Sequence, residues 1–555
     1  MKRSLLFAVV LFTAVTAFAQ PTLPGGPWWQ VPVKFFVSPG GSDANAGTTS
    51  AAPWKTIGRA LGDPTVTSFL GVGIPVTINL MPGEYSLASN GELFPIALPA
   101  RNVSLEAWAP GVVFRGFPDT DLIVVSSPGV PSSISTDTVI RGIELTNGDR
   151  AIEIDPGLSG GRSVGTDRVH VLQCDIHDNS RDGIKIIVEE GWRGEHVIED
   201  NDVYNHTPSG WGIILDNFGA SSSVIRSNRL YDNEVNVQIT DWNEAVGVCA
   251  PRVQSNLIWE GEWNSIFQFC SPWIVNNTLA FARPHSSGQH VYGVIYNGTT
   301  GEQMTLANNI IWNPDPGFGA TDVAATGTSV VCDSNDILLG TGPCAPGVNG
   351  NTNVNPQFVL PAAPYDLHLL TTSPVIGLGN PAFVHPPLSL TVDGTGVPAD
   401  LRQDVDLDPR AIDFGKNGTA SVDMGGDEVT EVRLSPASGV DALGNLLVSG
   451  GAFVSTYTIT GRPGDTYLVF YSFSFALDPD FNNLFLNPYG NVLLDLAALQ
   501  PVASGTIGVG GSATFSFNGT LNPVPDEFEV FLQGVVLTSP GLGDATNRLR
   551  LELNL

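Results

Sequence analysis

Asparagine recurs at a near-regular spacing through the middle of the chain, each time two residues before an aliphatic residue. The positions, 21 to 32 residues apart, are Asn201, Asn228, Asn256, Asn277, Asn309 and Asn335. Such a period is typical of a solenoid, whose units are too small to bury an apolar face alone and must stack on their neighbours. Between the asparagines lie short strand-like runs, and no stretch from Ser163 to Leu360 has a capped helical stripe. The repeat predicts an all-β fold, and a parallel β-helix fits it best.

The physics of a parallel coil explains the asparagines. Equivalent residues of successive turns lie about 4.8 Å apart, so an amide side chain can hydrogen-bond to its copies above and below. Asparagine also tolerates the left-handed backbone of a tight bend. We therefore expect these side chains to hold the turns rather than to contact a ligand, since a buried amide needs partners.

Length and the amino terminus indicate a secreted protein of several parts. The chain has 555 residues, more than one typical domain. Lys2 and Arg3 precede an apolar run and then Ala17-Phe18-Ala19, which is the pattern of a signal peptide cleaved after Ala19. No later run is long and apolar enough to span a bilayer. We expect a monomer that is secreted or held at the cell surface.

The formal net charge of -30 narrows the classes of partner. A surface this acidic repels nucleic acid and anionic membranes. It also repels a polyanionic substrate unless calcium or a local basic groove intervenes. Solubility outside the cell is the simpler explanation of the same charge.

The five cysteines suit an oxidising compartment. Cys249 and Cys270 open similar stretches 21 residues apart, the interval that also separates Asn256 from Asn277. They should stack in adjacent coils at a spacing that a disulfide can bridge. Cys332 and Cys344 are expected to close a local loop. Cys174 remains as a small buried residue, and no spacing indicates a zinc site.

Two regions of the chain resemble a known superfamily. Residues 36–48 with 53–57 resemble the amino-terminal signature of secreted right-handed parallel β-helix proteins, the pectin-lyase-like superfamily. Residues 373–377, 404–410 and 422–428 resemble the closing segment of the same proteins. The resemblance implies a right-handed parallel β-helix, a single-stranded solenoid, capped by a strand and a short amphipathic helix. It does not select a chemistry, because the superfamily includes lyases, hydrolases, epimerases and proteins without known activity.

These patterns divide the chain into four parts. We predict a signal peptide at residues 1–19, a linker at 20–34, the β-helix at 35–430 and a carboxy-terminal domain at 431–555. In the last part the asparagine period disappears and short alternating strands follow, such as 466–471 and 513–517. This pattern predicts a β-sandwich-like accessory domain.

Alternation within the strands selects one candidate face. Inward neighbours such as Ile184 and Ile186, and Phe267 and Phe269, should turn the residue between them outward. The outward residues are then Lys185, Ile214, Gln238 and Gln268. The following loops add Glu189, Trp192, Arg193, Asp216, Asp241 and Trp242.

These residue types suit cleavage of a polysaccharide. β-Elimination on a uronic acid needs a base, for which Lys185 is the candidate because it is the single lysine within the repeats. We predict Asp216 and Asp241 as its catalytic partners. A calcium ion held by Glu189, Asp216 and Asp241 could neutralise the substrate carboxylate. The predicted substrate-binding residues are Trp192, Arg193, Gln238, Trp242 and Gln268.

Other chemistry stays open. Paired carboxylates could instead hydrolyse a glycosidic bond. His177 and Asp178, beside Asp182, form a second and weaker candidate site. Asp404, Asp406 and Asp408 alternate like a calcium loop, but Gly415 stands where an EF-hand needs its glutamate.

Two hypotheses of different classes follow. The first is a secreted enzyme, a lyase or a hydrolase, that acts on extracellular polysaccharide, with an acidic glycan favoured. The second is a noncatalytic scaffold or adhesin that binds a cell-surface glycan or protein. An ion pair on a solvated sheet would explain Lys185 without any catalysis.

Overall fold

The computed structural model describes most of the chain between residues 32 and 383 and parts of the remainder. The described ranges are 32–99, 102–126, 138–155, 158–159, 162–163, 168–188, 193–206, 210–218, 220–242, 249–283, 292–299, 301–314, 321–326, 329–383, 405, 422–427, 434–438, 446–449, 452–460, 466–472, 484–485, 491–492, 500–508, 512–520, 529–537 and 543–554. The predicted signal peptide and most of the predicted linker lie outside these ranges. So do the three aspartates of the calcium-like sequence.

Three parallel sheets run the length of a solenoid, and each turn of the chain adds a strand to each sheet in succession. Sheet 1 has 11 strands: Val33–Val37, Val76–Leu80, Val103–Ala107, Thr138–Arg141, Val169–Leu172, Val197–Glu199, Val224–Arg226, Arg252–Gln254, Trp273–Val275, Gln303–Ala307 and Ser329–Asp333. Sheet 2 has 10 strands: Gly83–Tyr85, Val112–Arg115, Glu144–Thr146, Asp175–His177, Asp202–Tyr204, Arg229–Tyr231, Leu257–Trp259, Thr278–Ala280, Ile310–Trp312 and Asp336–Ile337. Sheet 3 has 9 strands: Ile96–Pro99, Ile123–Ser126, Arg150–Ile154, Asp182–Val188, Trp211–Asn217, Val235–Asp241, Trp263–Gln268, Tyr292–Asn297 and Thr321–Thr326. The predicted all-β parallel solenoid is confirmed.

One continuous apolar core fills the solenoid, because each strand turns alternate side chains inward. Ile184, Ile213, Val237 and Phe267 illustrate this in sheet 3, where each is fully buried. Each turn covers the apolar side of the one before it, which is the stacking that the short repeats require.

The predicted asparagine column is present at the corner between sheets 1 and 2. The side-chain Oδ1 of Asn256 accepts hydrogen bonds from the backbone N–H of Asn228 at 2.9 Å and from its Nδ2 at 3.0 Å. The same pair of bonds joins every successive member from Asn201 to Asn335 and then Asn351. The column begins at Cys174, whose N–H donates to Asn201 Oδ1 at 2.9 Å. These residues are structural, as expected.

The left-handed conformation at this corner belongs to a different residue from the one we expected. From Asn201 to Asn335, the residue before each column asparagine, for example Asp200, Ser227 or Asn276, has a φ of 52° to 57°. The bend is therefore at the residue immediately before the asparagine and not at the asparagine itself. The asparagine N–H therefore points along the stack, where the amide of the next turn accepts it.

A second polar column, which the sequence analysis did not identify, lies at the corner between sheets 2 and 3. Asn179 Oδ1 accepts from Gly148 N–H at 2.8 Å, and Asn179 N–H donates to His206 Nδ1 at 3.2 Å. His206 N–H in turn donates to Asn233 Oδ1 at 3.1 Å. Burial lowers the pKa of His206 to about 3. The ring is therefore neutral and serves as a hydrogen-bond acceptor in place of an amide.

Two short helices, Ile57–Leu61 and Pro64–Gly71, cover the first turn, as the resemblance implies. Trp54 is buried against Phe35, with ring centroids 5.3 Å apart. The buried Glu92 carboxylate accepts from the N–H groups of Ile57 and Gly58 at 2.7 and 3.0 Å. A carboxylate at this position satisfies helical N–H groups that would otherwise lack partners.

Residues after the last turn fold back onto sheet 2. The strands Phe358–Leu360 and Asp366–Leu369 form an antiparallel hairpin. A second apolar cluster joins this region to the sheet and contains Leu257, Trp259, Ala280, Ile310, Phe358, Leu367, Leu369, Val375, Val405 and Met424. Val375, Val405 and Met424, which belong to the closing segments, therefore pack against the late turns of sheet 2.

Further strands follow the solenoid. Eight of them form a mainly antiparallel sheet: Leu434–Ser438, Leu446–Ser449, Ala452–Thr460, Thr466–Ser472, Gln500–Thr506, Ser512–Thr520, Glu529–Leu537 and Gly543–Asn554. Leu484–Phe485 and Asn491–Val492 form a small separate pair. A sandwich arrangement for residues 431–555 stays a prediction. Among the described residues, no helix has the length and apolar character needed to cross a membrane.

The cysteines confirm one predicted bridge and correct the other. Cys332 and Cys344 form a disulfide with Cα atoms 5.2 Å apart. Cys249 and Cys270 stack on adjacent turns as expected, since Arg252 pairs with Trp273 at the same 21-residue offset. The two cysteines are nevertheless free thiols and do not form the predicted disulfide. Burial and a hydrogen bond between the two thiols raise the pKa of Cys270 well above its usual value. A thiol held protonated in this way is slow to enter disulfide exchange.

Two buried carboxyl groups lie near the end of the solenoid. Asp322 accepts from Asn313 Nδ2 at 2.8 Å and from Leu339 N–H at 2.7 Å. Asp336 Oδ1 accepts from Val354 N–H at 2.9 Å, whereas its Oδ2 is buried without a hydrogen-bond partner. Burial raises the pKa of Asp322 to about 6, and burial together with the charge of Asp322 raises that of Asp336 to about 7.

We expect Asp336→Asn to raise the melting temperature at pH 8 and to change it little at pH 5. Above pH 7 the folded protein holds two buried carboxylates. As the pH falls from 7 toward 4, these carboxylates bind protons in the folded state, whereas the same aspartates in the unfolded chain stay ionised. The free energy of unfolding therefore rises as the pH falls through this range. The penalty removed at pH 8 is on the order of a few kcal/mol. Calorimetric melting across pH 5 to 8 measures it.

The control is Asp333→Asn, which changes a half-buried carboxylate in the preceding strand and should leave the pH response intact. Neutral His206 and His196 act in the opposite direction below about pH 6.5, so the comparison of variant with wild type cancels them. An identical pH response in Asp336→Asn and wild type would contradict the prediction.

Candidate functional site

The outward face of sheet 3 is the surface on which the candidate site was predicted. Lys185 lies beside Glu153 on the preceding turn and beside Ile214 on the next. Gln238 and then Ile266 continue the same column. Adjacent strands of a sheet are about 4.8 Å apart, so these side chains are direct neighbours.

Lys185 faces outward, as alternation predicts, and its side chain is 21% exposed. Its Nζ lies 3.9 Å from Asp216 Oδ2. The Asp216 Oδ1 accepts a hydrogen bond from Trp242 Nε1 at 2.9 Å. Trp242 is 56% exposed, so its ring is available beside the carboxylate. Three of the predicted site residues are thus brought together.

The same face contains an arginine cluster that the sequence analysis did not identify. Arg150 Nη1 lies 3.0 Å from Glu153 Oε1, and Arg150 Nε lies 3.0 Å from Asp182 Oδ2. Asp121 Oδ2 is 3.7 Å from the same guanidinium. The sequence pattern could have identified Glu153, because it lies between the buried residues Ile152 and Ile154 as Lys185 lies between Ile184 and Ile186.

Two acids of this cluster, Glu153 and Asp182, have raised pKa values. Two cations, Arg150 and Lys185, face four carboxylates that belong to Asp121, Glu153, Asp182 and Asp216. Burial raises the pKa of Glu153, an effect that the Arg150 charge opposes and the Asp121 charge strengthens. Burial also raises the pKa of Asp182, although its hydrogen bond from Arg150 works against the shift. Glu153 is therefore able to hold or release a proton next to Lys185.

Other predicted residues are placed differently. Asp241 is 3% exposed and lies in the inward-facing series of its strand, on the opposite side from Lys185. Gln268 faces outward but pairs with Thr240, so it lies in the column of Asp216 rather than that of Gln238. Phe269 follows the end of the strand with a φ of 55° and is half-buried rather than inward. The short strand Trp263–Gln268 ends one residue too early for it.

For four other predicted residues the structure shows little or nothing of a role in the site. Glu189 and Trp192 lie outside the described residues. Arg193 is in the short strand Arg193–Gly194, which pairs with Ala220–Ser221. Gln238 is half-buried, and its Nε2 is 3.5 Å from Thr240 Oγ1.

The donor set does not by itself build the predicted calcium site. Among the described residues, no group of three His, Cys, Asp or Glu side chains is arranged to hold a metal. Asp216 and Asp241 face opposite sides of sheet 3, and Asp216 already contacts Lys185 and Trp242. A calcium role that includes Glu189 stays a prediction, and no step of the chemistry below depends on it.

The weaker candidate, His177, lies on a different face. It is in sheet 2, where His177 Nδ1 lies 2.7 Å from Asp178 Oδ2 and Nε2 lies 3.5 Å from Glu144 Oε1. Although burial alone would lower it, these two carboxylates raise the pKa of His177 to about 9. The ring stacks on Tyr204, which stacks in turn on Tyr231. Asp182, its expected neighbour, is bound to Arg150 instead.

Several solved structures are distantly similar to this chain. Pectate lyase Pel9A is similar over 71% of this chain and 96% of that chain, with 13% identity and a TM-score of 0.43. The periplasmic alginate epimerase AlgG is similar over 46% of this chain and 60% of that chain, with 12% identity and a TM-score of 0.27. The enzymatically active domain of bacteriophage CBA120 tailspike protein 4 covers 87% of this chain and 65% of that chain, at 11% identity and a TM-score of 0.34. Identity and TM-score are low in each case, so neither substrate nor mechanism transfers to this chain.

Sequence comparisons reach only part of the protein. No curated protein matches the chain. A family model described as a protein of unknown function, DUF1565, matches residues 39–261, a region that includes Glu153, Lys185, Asp216 and Trp242.

Proposed function

We propose that this protein is an extracellular enzyme that binds polysaccharide on the outward face of sheet 3 and cleaves it by acid–base chemistry. One observation supports this most: the single lysine of the repeats lies between Glu153 and Asp216 on an outward sheet face beside an exposed tryptophan. A secreted location is supported by the predicted signal peptide and by the Cys332–Cys344 disulfide.

Each residue has a role in this proposal. The exposed ring of Trp242 offers an apolar face to a sugar. Asp216 orients both Trp242 and Lys185 through its two oxygens. In the proposed elimination the free amine of Lys185 accepts the carbon-bound proton, and the electron pair of that C–H bond forms the new double bond as the bond to the leaving oxygen breaks. In this proposal Glu153, whose pKa burial raises, donates a proton to the leaving oxygen.

The products identify the reaction. β-Elimination leaves an unsaturated uronate that absorbs in the ultraviolet, whereas hydrolysis leaves only a new reducing end. A panel of acidic and neutral polysaccharides, assayed with and without calcium for both signals, therefore decides between lyase and hydrolase. Neither signal from any polysaccharide of a broad panel would count against the enzyme proposal.

A noncatalytic scaffold or adhesin is the second candidate. It is favoured by the observation that Arg150 and Lys185 already have carboxylate neighbours in the protein. This function predicts glycan binding without products and attachment that is lost when residues after Glu431 are deleted. Unchanged attachment of the truncated protein would contradict it.

A further inference from the structure

Arg252 is a buried cation on the outward side of sheet 1, away from the candidate site on sheet 3. Its strand pairs with Val224 on one side and Trp273 on the other. The following residue, Val253, is buried in the apolar core, so Arg252 points away from it. Even so, Arg252 is only 4% exposed.

The guanidinium of Arg252 lacks the partner that its neighbour has. On the preceding turn, Arg226 forms an ion pair with Glu199 Oε1 at 2.8 Å. Arg252 Nη1 is buried and has no hydrogen-bond partner, and no carboxylate of the described residues forms an ion pair with this side chain. The guanidinium also lies over the Trp273 ring, whose centroid is 5.6 Å from the guanidinium carbon.

An unpaired buried charge is costly. Removing a cation from water costs several kcal/mol unless an opposite charge or hydrogen bonds replace the solvent. A contact with an aromatic face returns about 2 kcal/mol when the pair is desolvated, which offsets only part of that cost. Burial lowers the pKa of Arg252 to about 10, so the group is still charged at neutral pH.

A second polar group on the next turn also lacks a partner. Asn276 follows the strand of Trp273 and is fully buried, yet neither its Oδ1 nor its Nδ2 has a hydrogen-bond partner. Buried amides in folded proteins are nearly always satisfied by protein, water or a ligand. Two neighbouring turns of sheet 1 thus carry unsatisfied polar groups.

We propose that Arg252 and Trp273 form a binding site for a small carboxylate. The guanidinium presents parallel N–H groups whose spacing matches the two oxygens of a carboxylate. A carboxylate carries one negative charge, which the single guanidinium charge balances, whereas sulfate or doubly ionised phosphate brings a second charge and more bulk into a buried site. The near-complete burial of Arg252 restricts the ligand to the size of acetate or a similar acid.

The test is thermal unfolding of the full-length protein at pH 7 in sodium acetate against sodium chloride at equal ionic strength. Acetate in about hundredfold excess over its dissociation constant should raise the melting temperature by about 2–5 °C relative to chloride. Arg252→Met should abolish the difference and, without acetate, melt at or above the wild-type temperature, because an unpaired buried charge is gone. Galacturonate in place of acetate tests the size limit and should stabilise less.

Arg226→Met is the matched control. It removes a buried arginine that already has a carboxylate partner, so its melting temperature should fall while the acetate response persists. A second readout does not depend on the stability of the Arg252 variant. Acetate should change the tryptophan fluorescence of the wild-type protein, and Trp273→Phe should remove that change. Equal melting of the wild type in acetate and chloride, or an unchanged acetate response in Arg252→Met, would overturn the proposal.

Discussion

Turnover of the cleaved polysaccharide should fall on the order of 10²–10⁴-fold when Lys185 is replaced by alanine. The reason is geometric. Lys185 is the amine of the repeats on the outward face of sheet 3, and Asp216 and Glu153 are its charged neighbours on the adjoining turns. Losing it removes the proposed proton acceptor while the surrounding β-sheet is unchanged. Initial rates on the most active substrate of the polysaccharide panel measure the effect.

Lys185→Arg separates the two possible uses of this side chain. Arginine keeps the positive charge beside Asp216 but cannot give up its proton near neutral pH. If Lys185 is the base, the arginine variant should be as inactive as the alanine variant. Recovery of more than about a tenth of wild-type turnover in Lys185→Arg would assign the residue an electrostatic role instead.

Lys34→Ala is the matched control for this series. Lys34 is exposed in the first strand of sheet 1, remote in sequence and on a different sheet, and its removal should leave kcat and KM unchanged. Turnover by Lys185→Ala within twofold of wild type would contradict the catalytic assignment. In that case the scaffold function, which needs no base, would become the better explanation.

The second large effect concerns stability: Asn256→Ala should destabilise the solenoid by about 3–5 kcal/mol. The Asn256 amide makes five hydrogen bonds. Its Oδ1 accepts from the N–H and Nδ2 of Asn228, and its Nδ2 donates to Ile225 O, Gln254 O and Asn277 Oδ1 at 2.9, 3.0 and 2.9 Å. Alanine leaves buried donors and acceptors without partners. Denaturant unfolding followed by far-ultraviolet circular dichroism measures the loss.

Asn297→Ala provides the comparison. Asn297 is half-buried on the outward face of sheet 3, where its Oδ1 accepts one hydrogen bond from Thr326 at 2.7 Å. Water can replace that bond, so the cost should stay within about 0.5 kcal/mol. Equal destabilisation by the two substitutions would mean that the asparagine column contributes no more than an ordinary surface amide.

Part of the candidate site could be read from the sequence and part could not. Lys185 was predicted to face outward because Ile184 and Ile186 on either side must face the core, and a period of two is visible in any single strand. Asp241 was assigned to the same site because it was expected to lie in the loop after the strand that contains Gln238. Whether a residue near the end of a strand turns in or out depends on where that strand ends, and Val235–Asp241 continues far enough to turn Asp241 inward.

Contacts between side chains of different turns were even harder to predict from the sequence. Gln238 and Gln268 looked equivalent, but Gln268 pairs with Thr240, since loops of unequal length separate the strands and a shift of two residues leaves the alternation unchanged. Arg150, Asp121 and Asp182 come from three different turns. Their spacing along the chain does not indicate that the Arg150 guanidinium contacts both aspartates.

The sequence alone determined that the chain winds into stacked parallel turns held by a column of asparagines. The reason is that each turn repeats the same sequence features, which are alternating apolar residues for the core and an asparagine at the same corner. The tertiary structure alone decided which side chains meet across turns, including the cluster around Arg150 and the isolation of Arg252. Those contacts are set by the backbone register between strands, and intervals that vary from 21 to 32 residues hide that register in the sequence.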